Sequence, residues 1–212
     1  MNLPVIDSQS FIQKDYTISI LPKAEYSYCT FNNCNFENSD ISNNVFLECE
    51  FIDCNFSNVN IKHTTFNEVS FKDCKLVGLN FNDCNTFLMA FAFVSSNLSF
   101  SSFSEMTINK TQFSVCKMHQ VDFSFTEAKY CLFHQCDLND AIFNSTSLEG
   151  SDLSSAFNFE IDPSSNQIKS AVFSKRPENI YIFSWCHLLY FWYAGFQKYI
   201  PFTLWTQRYR IK

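Results

Sequence analysis

Glycine is almost missing from this chain: Gly78, Gly150 and Gly195 are all that stand among 212 residues, where average usage near ~7% gives about 15. No GxGxxG or GxxxxGK(S/T) can be written anywhere, which removes the phosphate-cradling loops of nucleotide-binding folds. Positive charge is also scarce. Lys+Arg number 15 against 21 Asp+Glu, a formal net charge of −6, whereas a general DNA- or RNA-binding surface needs a basic footprint. The stretch from Met1 to Ile20 has no basic segment followed by an apolar one, so a secretory signal is not expected. Ten cysteines are present but no CxxC spacing, which argues against a zinc site.

What is abundant is phenylalanine, 26 residues, and it recurs with a period. Every fifth residue from Tyr26 through Phe31, Phe36, Ile41, Phe46, Phe51 and onward to Phe81 is large and apolar. Two positions before each stands mostly a small or thiol side chain, such as Cys29, Cys34, Ser39, Cys49 and Cys54. A second array runs from Phe93 through Leu98, Phe103, Ile108 and Phe113 to Leu153, undersized only at Ala128. The phase slips by two residues between them, within about 82–92. Neither an amphipathic helix nor an alternating strand keeps register with a period of five.

A period of five with one large and one small inward residue implies a chain that turns a corner at every repeat. Four sides close a square coil of twenty residues, and coils stacked at ~4.8 Å satisfy their backbone groups above and below. Residue identity at a spacing of twenty, as in Phe31–Phe51–Phe71, Ile41–Ile61–Phe81 and Phe103–Phe123–Phe143, favours four sides over three. The expectation is an all-β solenoid over 19–157 of roughly 6.5 coils and ~30 Å. Caps are expected at 1–18 and 158–212, since each coil touches only its neighbours.

Stretches such as Cys34-Asn35-Phe36-Glu37-Asn38, Cys54-Asn55-Phe56-Ser57-Asn58 and Ser151-Asp152-Leu153-Ser154-Ser155 resemble the pentapeptide-repeat proteins, which implies a right-handed quadrilateral parallel β-helix. The Cys- and Phe-rich run from Phe46 to Phe56, the run from Phe66 to Leu76 before the phase break, and the segment from Phe159 to Ser174 are similar to the branch that confers resistance to quinolones, albicidin or microcin. That resemblance implies a dimeric mimic of B-form DNA, acting on DNA gyrase or topoisomerase IV without binding nucleic acid itself. It implies no enzyme activity and no cofactor.

The residues themselves supply candidates. Between residues 19 and 157 there are 16 acidic and 7 basic side chains. Asn35, Asp40, Asn55, Asp122, Asp137 and Asp152, each just before a large residue, read as local backbone acceptors belonging to the repeat. Glu48, Asp53, Glu68 and Asp73 sit two after the large residue, where the repeat makes no evident demand. Stacked like charges cost stability, so a partner surface that rewards them is one reading and a solvated face the other; Asp83 at the edge of the interruption joins the group. Eight of the cysteines occupy the small inward position and read as buried reduced thiols, in keeping with a cytoplasmic compartment. His63, His119 and His134 are expected to face outward on separate coils without catalytic partners.

The interruption contributes Phe87 and Met89 as candidate contacts, against the alternative that Phe87, Leu88 and Phe91 repack inward. The tail departs from the resembling proteins. Residues 158–212 carry seven basic and three acidic side chains, and no Asp, Glu, Lys or Arg stands from Ile180 to Phe196. Pro177 suits the first turn of a helix starting near Glu178. Trp185, Leu189 and Trp192 are candidates for a dimer or cap surface. Membrane contact, suggested by the aromatic residues and the basic end, and an aberrant tail stand as alternatives. A structural or protein-interaction scaffold, membrane-associated through this tail, is the rival to the DNA mimic.

Overall fold

A large apolar residue at every fifth position is buried only if the chain turns at each repeat, and it does. The computed structural model describes residues 3–174 and, beyond them, two short segments at 180–181 and 210–211. The strands are very short. One parallel sheet comprises β1 (Val5–Asp7), β3 (Glu25–Ser27), β5 (Val45–Leu47) and β7 (Thr65–Asn67). The next side begins with β2 (Ser10–Ile12), β4 (Thr30–Asn32), β6 (Glu50–Ile52) and β8 (Val69–Lys72). It continues through β9 (Phe91–Val94), β10 (Gln112–Ser114), β11 (Leu132–His134), β12 (Asp152–Leu153) and β14 (Val172–Phe173). The other two sides are ladders of single bridges, one running Asn35, Asn55, Lys75, Asn97, Lys117, Asp137 and the other including Asn80, Ser102, Asp122, Ile142. The fold is a four-sided parallel β-helix.

Register is set by the rings. Phe31 pairs with Phe51, and Phe51 with Phe71, in ladders twenty residues apart. Their ring centroids stack at 4.8 and 5.1 Å with nearly parallel planes. Rings of neighbouring columns meet edge to face, as Phe51 does with Phe56 at 5.0 Å. Both arrangements suit the ring quadrupole, so the core is one continuous aromatic stack from Phe11 to Phe143.

The coil runs further than the sequence suggested at both ends. Residues 1–18, expected as a cap, contain β1 and β2 in register with β3 and β4. Beyond 157, β14 continues the ladder from β12. From β2 to β14 one face carries nine strands, which at ~4.8 Å per step is on the order of 38 Å. Ile180–Tyr181 (β15) pairs with β13 (Phe159–Glu160), and Arg210–Ile211 (β16) with β14. The helix expected near Glu178 is therefore a strand at the two residues described there, and the rest of that segment lies outside the described residues.

The small inward side chain has a second duty that the pattern did not reveal. Cys54 shares its Sγ hydrogen between the carbonyl of Phe31, one coil back, at 3.4 Å and that of Ile52 at 3.3 Å, and Cys49 and Cys74 likewise reach Tyr26 and Phe51 at 3.2 and 3.3 Å. Thr64, Ser96, Thr126, Thr146 and Ser151 make the equivalent bond from a hydroxyl. Cys, Ser and Thr alternate at this position because each is small enough to be buried and each carries a donor.

Candidate interaction surface

The four corners of each coil are the outward features. The residue two after most of the large side chains adopts a left-handed backbone: φ is 50° at Glu48, 52° at Asp53, 53° at Glu68 and 55° at Asp73. The repeat does make a demand there, contrary to the expectation from sequence. Asn and Asp tolerate this region best, which accounts for Asn33, Asn38, Asn43, Asn58, Asp53 and Asp73 at corners. It does not account for Glu48 or Glu68, which have no such preference. Nor does it account for Val115, Phe100 and Phe125, at φ of 57°, 63° and 59°, where a branched or bulky residue costs about 1–2 kcal/mol.

All five acidic candidates are exposed. Glu48 and Glu68 follow one another on the corner between the β7 and β8 sides, and Asp53 and Asp73 follow one another on the corner just past β6 and β8. Glu50, also exposed, lies on the face between them. Tyr28 stands one coil before Glu48 on the same corner, and the Glu48 carboxylate raises the pKa of its phenol. Asp83 is not brought to this group. It closes a 3-10 turn over Phe81–Asp83 on a different corner, where its carbonyl accepts the His63 N–H at 2.7 Å. The acceptor reading of the residues before the large side chain holds: Asp40, Asp122 and Asp152 each accept the backbone N–H two residues on at 2.8 Å.

The phase slip is a two-residue bulge. Thr65 still bridges to Asn85 twenty residues on, but Val69 pairs with Phe91 twenty-two on, so the extra residues fall within 86–90. Phe91 turns inward, against Phe66 at 5.8 Å and Phe81 at 5.3 Å. Phe87 and Leu88 project outward with 72% and 64% of their surface exposed. The inward alternative holds for Phe91 alone. Met89 packs half-buried on the core. Trp185, Leu189 and Trp192 lie outside the described residues.

Two histidines have partners, which the sequence reading missed. His119 Nε2 lies 2.7 Å from Asp137 Oδ2, whose other oxygen accepts Asn158 Nδ2 at 2.9 Å. A carboxylate only accepts, so Nε2 carries the proton. His134 Nδ1 meets Ser155 Oγ at 3.3 Å. The two pairs share no residue, so they do not combine into a Ser–His–Asp chain. The nine described cysteines are free and buried. Burial pushes the Cys49 and Cys131 thiols up to about 12, far from the thiolate that reactive cysteines need. Among the described residues no group of three or more His, Cys, Asp and Glu is placed to hold a metal.

A closed rod of short parallel strands, with an aromatic stack inside and left-handed corners outside, is a repeat solenoid whose surface is its corners and faces. The sequence matches two family profiles, the pentapeptide repeat region over residues 24–92 and pentapeptide repeats in eight copies over residues 116–154, together about half of the chain. The chain belongs to the pentapeptide-repeat family. No curated protein sequence matches it. Among solved structures it is similar to full-length QnrB1, a plasmid-mediated fluoroquinolone resistance protein, at 13% identity over 91% of this chain and 100% of that one, with a TM-score of 0.40. It is also similar to HetL from the cyanobacterium Nostoc sp. Strain PCC 7120, a protein involved in heterocyst differentiation regulation, at 10% identity over 82% of this chain and 91% of that one, TM-score 0.41.

Proposed function

We propose that this protein is a non-enzymatic mimic of duplex DNA that binds a type II topoisomerase in the cytoplasm and protects it from inhibitors such as quinolones. The observation that carries the reading is the pair of acidic corners, Glu48 with Glu68 and Asp53 with Asp73, flanking one face of the rod. The left-handed backbone calls for neither Glu48 nor Glu68, and a basic DNA-binding saddle is the kind of surface that rewards such charges. Between residues 19 and 157 the net charge of −9, from 16 acidic and 7 basic residues, spread over the ~30 Å that segment spans, is one per ~3.5 Å, about half the line density of duplex DNA at one per ~1.7 Å. The test is a gyrase supercoiling assay with the purified protein, with and without a quinolone. Inhibition at high protein or rescue from the drug at low protein supports the reading; no effect on gyrase or topoisomerase IV removes it.

A second reading, a protein-interaction scaffold, is favoured by the large apolar side chains at corners of the second array. Phe100, Phe125 and Tyr130 are 59%, 58% and 60% exposed, and DNA mimicry has no use for them. Membrane association through the tail belongs to this reading, and sedimentation with vesicles tests it.

A further inference from the structure

The corner that carries Glu48 and Glu68 changes character along its length. Backbone bonds define it: the N–H of Tyr28, Glu48, Lys110, Tyr130 and Gly150 each donates to the carbonyl just before the next residue of the column, at 2.8–2.9 Å. The 86–90 bulge fills the remaining place, over Glu68, with Ala90 bonded to Phe66 on one side of the corner and Val69 on the other. Read from the bulge toward the N-terminal end, the corner carries Glu68 one coil away and Glu48 two coils away. Toward the C-terminal end it carries Lys110 one coil away and, two coils away, Lys129 beside Tyr130. The centre is apolar: Phe87 and Leu88 are the most exposed apolar side chains of the central coils.

We propose that this edge is a self-complementary interface through which two copies of the chain pair antiparallel, about a two-fold axis passing by Leu88. Such an axis places residues equally far from the centre, on opposite sides, against each other. Glu68 of one copy meets Lys110 of the other, Glu48 meets Lys129, and each contact occurs twice. Phe87 and Leu88 meet their own counterparts and leave water together. Lys129 already lies 3.3 Å from Glu127, so the exposed Glu68–Lys110 contact supplies most of the register. The pairing goes beyond the topoisomerase reading and does not rest on it. Pairing covers Glu48 and Glu68, so it competes with any other partner for that edge.

The test is sedimentation velocity of the full chain over a concentration series at low and high salt. Glu68 and Lys110 both sit at exposed left-handed corners, with φ of 53° and 66°, so exchanging one long charged side chain for the other leaves the backbone demand unchanged. Wild-type protein is expected to dimerise, more weakly as salt rises. Glu68→Lys alone and Lys110→Glu alone each turn two attractive contacts repulsive and weaken the dimer about tenfold. The double exchange Glu68→Lys with Lys110→Glu restores it. A protein monomeric at every concentration overturns the proposal. So does a dimer indifferent to both single exchanges, as one held by residues 175–212 is, and so does a double exchange that fails to recover. Circular dichroism melts of each variant exclude unfolding as the cause of a loss.

Discussion

The ring of Tyr130 lies over the backbone of Gly150, one coil on along the same corner, so closely that a Cβ on Gly150 would sit 2.5 Å from its Cδ1 and Cε1 atoms. Gly150 also has φ of +68°, so two independent demands meet at one of the chain's few glycines. Gly150→Ala is expected to cost about 1–2 kcal/mol, from left-handed strain plus displacement of an exposed ring that can swing aside. Adding Tyr130→Ser should recover the steric part and leave the backbone part. Equal thermal melts for the single and double variants would show that the ring exerts no force on the site.

Val115 presents the opposite case, a β-branched residue at φ of 57°. Asn tolerates that conformation and lacks the extra unfolded-state freedom of Gly. Val115→Asn is therefore expected to stabilise the protein by about 1 kcal/mol, although it deletes apolar surface, because that surface is half exposed. A chemical denaturation midpoint that falls instead would mean that Val115 packs against something that outweighs its strain.

The thiol-to-carbonyl bonds predict an ordering at Cys54. Cys54→Ser keeps a donor to the Phe31 carbonyl, as Ser96 does for Phe71, whereas Cys54→Ala removes it. The Ala variant is expected to be less stable than the Ser variant by about 1 kcal/mol, the usual net worth of one hydrogen bond. If cysteine served here only as a small apolar group, the order in a melt would reverse.

Acid should expose the Asp137 site. Burial raises the pKa of this carboxyl, but hydrogen bonds from His119 and Asn158 outweigh it and leave the value below the ordinary one. A depressed carboxylate contributes stability that is present above its unfolded pKa, about 3.9, and is lost as pH falls through the folded value. Asp137→Asn is expected to be less stable than wild type at neutral pH and to close that gap below about pH 4. A difference that stays constant down to pH 2 would assign the loss to packing.

Charge removal at Glu48, Asp53, Glu68 and Asp73 tests the acidic corners without disturbing the fold. Gln for Glu and Asn for Asp keep side-chain size, and Asn suits a left-handed corner. Binding to gyrase, measured over a range of salt, should weaken and show a flatter dependence on ionic strength. Unchanged affinity and slope would move the contact surface elsewhere on the rod.

Much of this molecule could be read directly from the chain, because a period of five leaves few geometries for a polymer that must bury one large residue per repeat. Phe31, Phe51 and Phe71 announce their stack by spacing alone, and Asp40 or Asp152 announces a local turn by standing just before a large residue. The reading failed where a residue's role depends on what lies twenty positions away. His119 and Asp137 are eighteen residues apart and carry no shared motif, yet stacking one coil on the next brings them to 2.7 Å. The left-handed corners went unread because the residues there range from Asn and Glu to Phe and Val, so their common property belongs to the backbone. Asp83 is a neighbour of Glu68 and Asp73 in the chain, and a coil that turns every five residues puts it on another corner.

The coil, its four sides and its core follow from a periodic burial demand that local spacing expresses in full. The extent of the rod, the direction in which Phe87 and Leu88 point, and which charges share an edge come from the stacking of one coil on the next. Those depend on where two extra residues are absorbed between Asn85 and Phe91, and a shift of register is settled by the coils packed on either side.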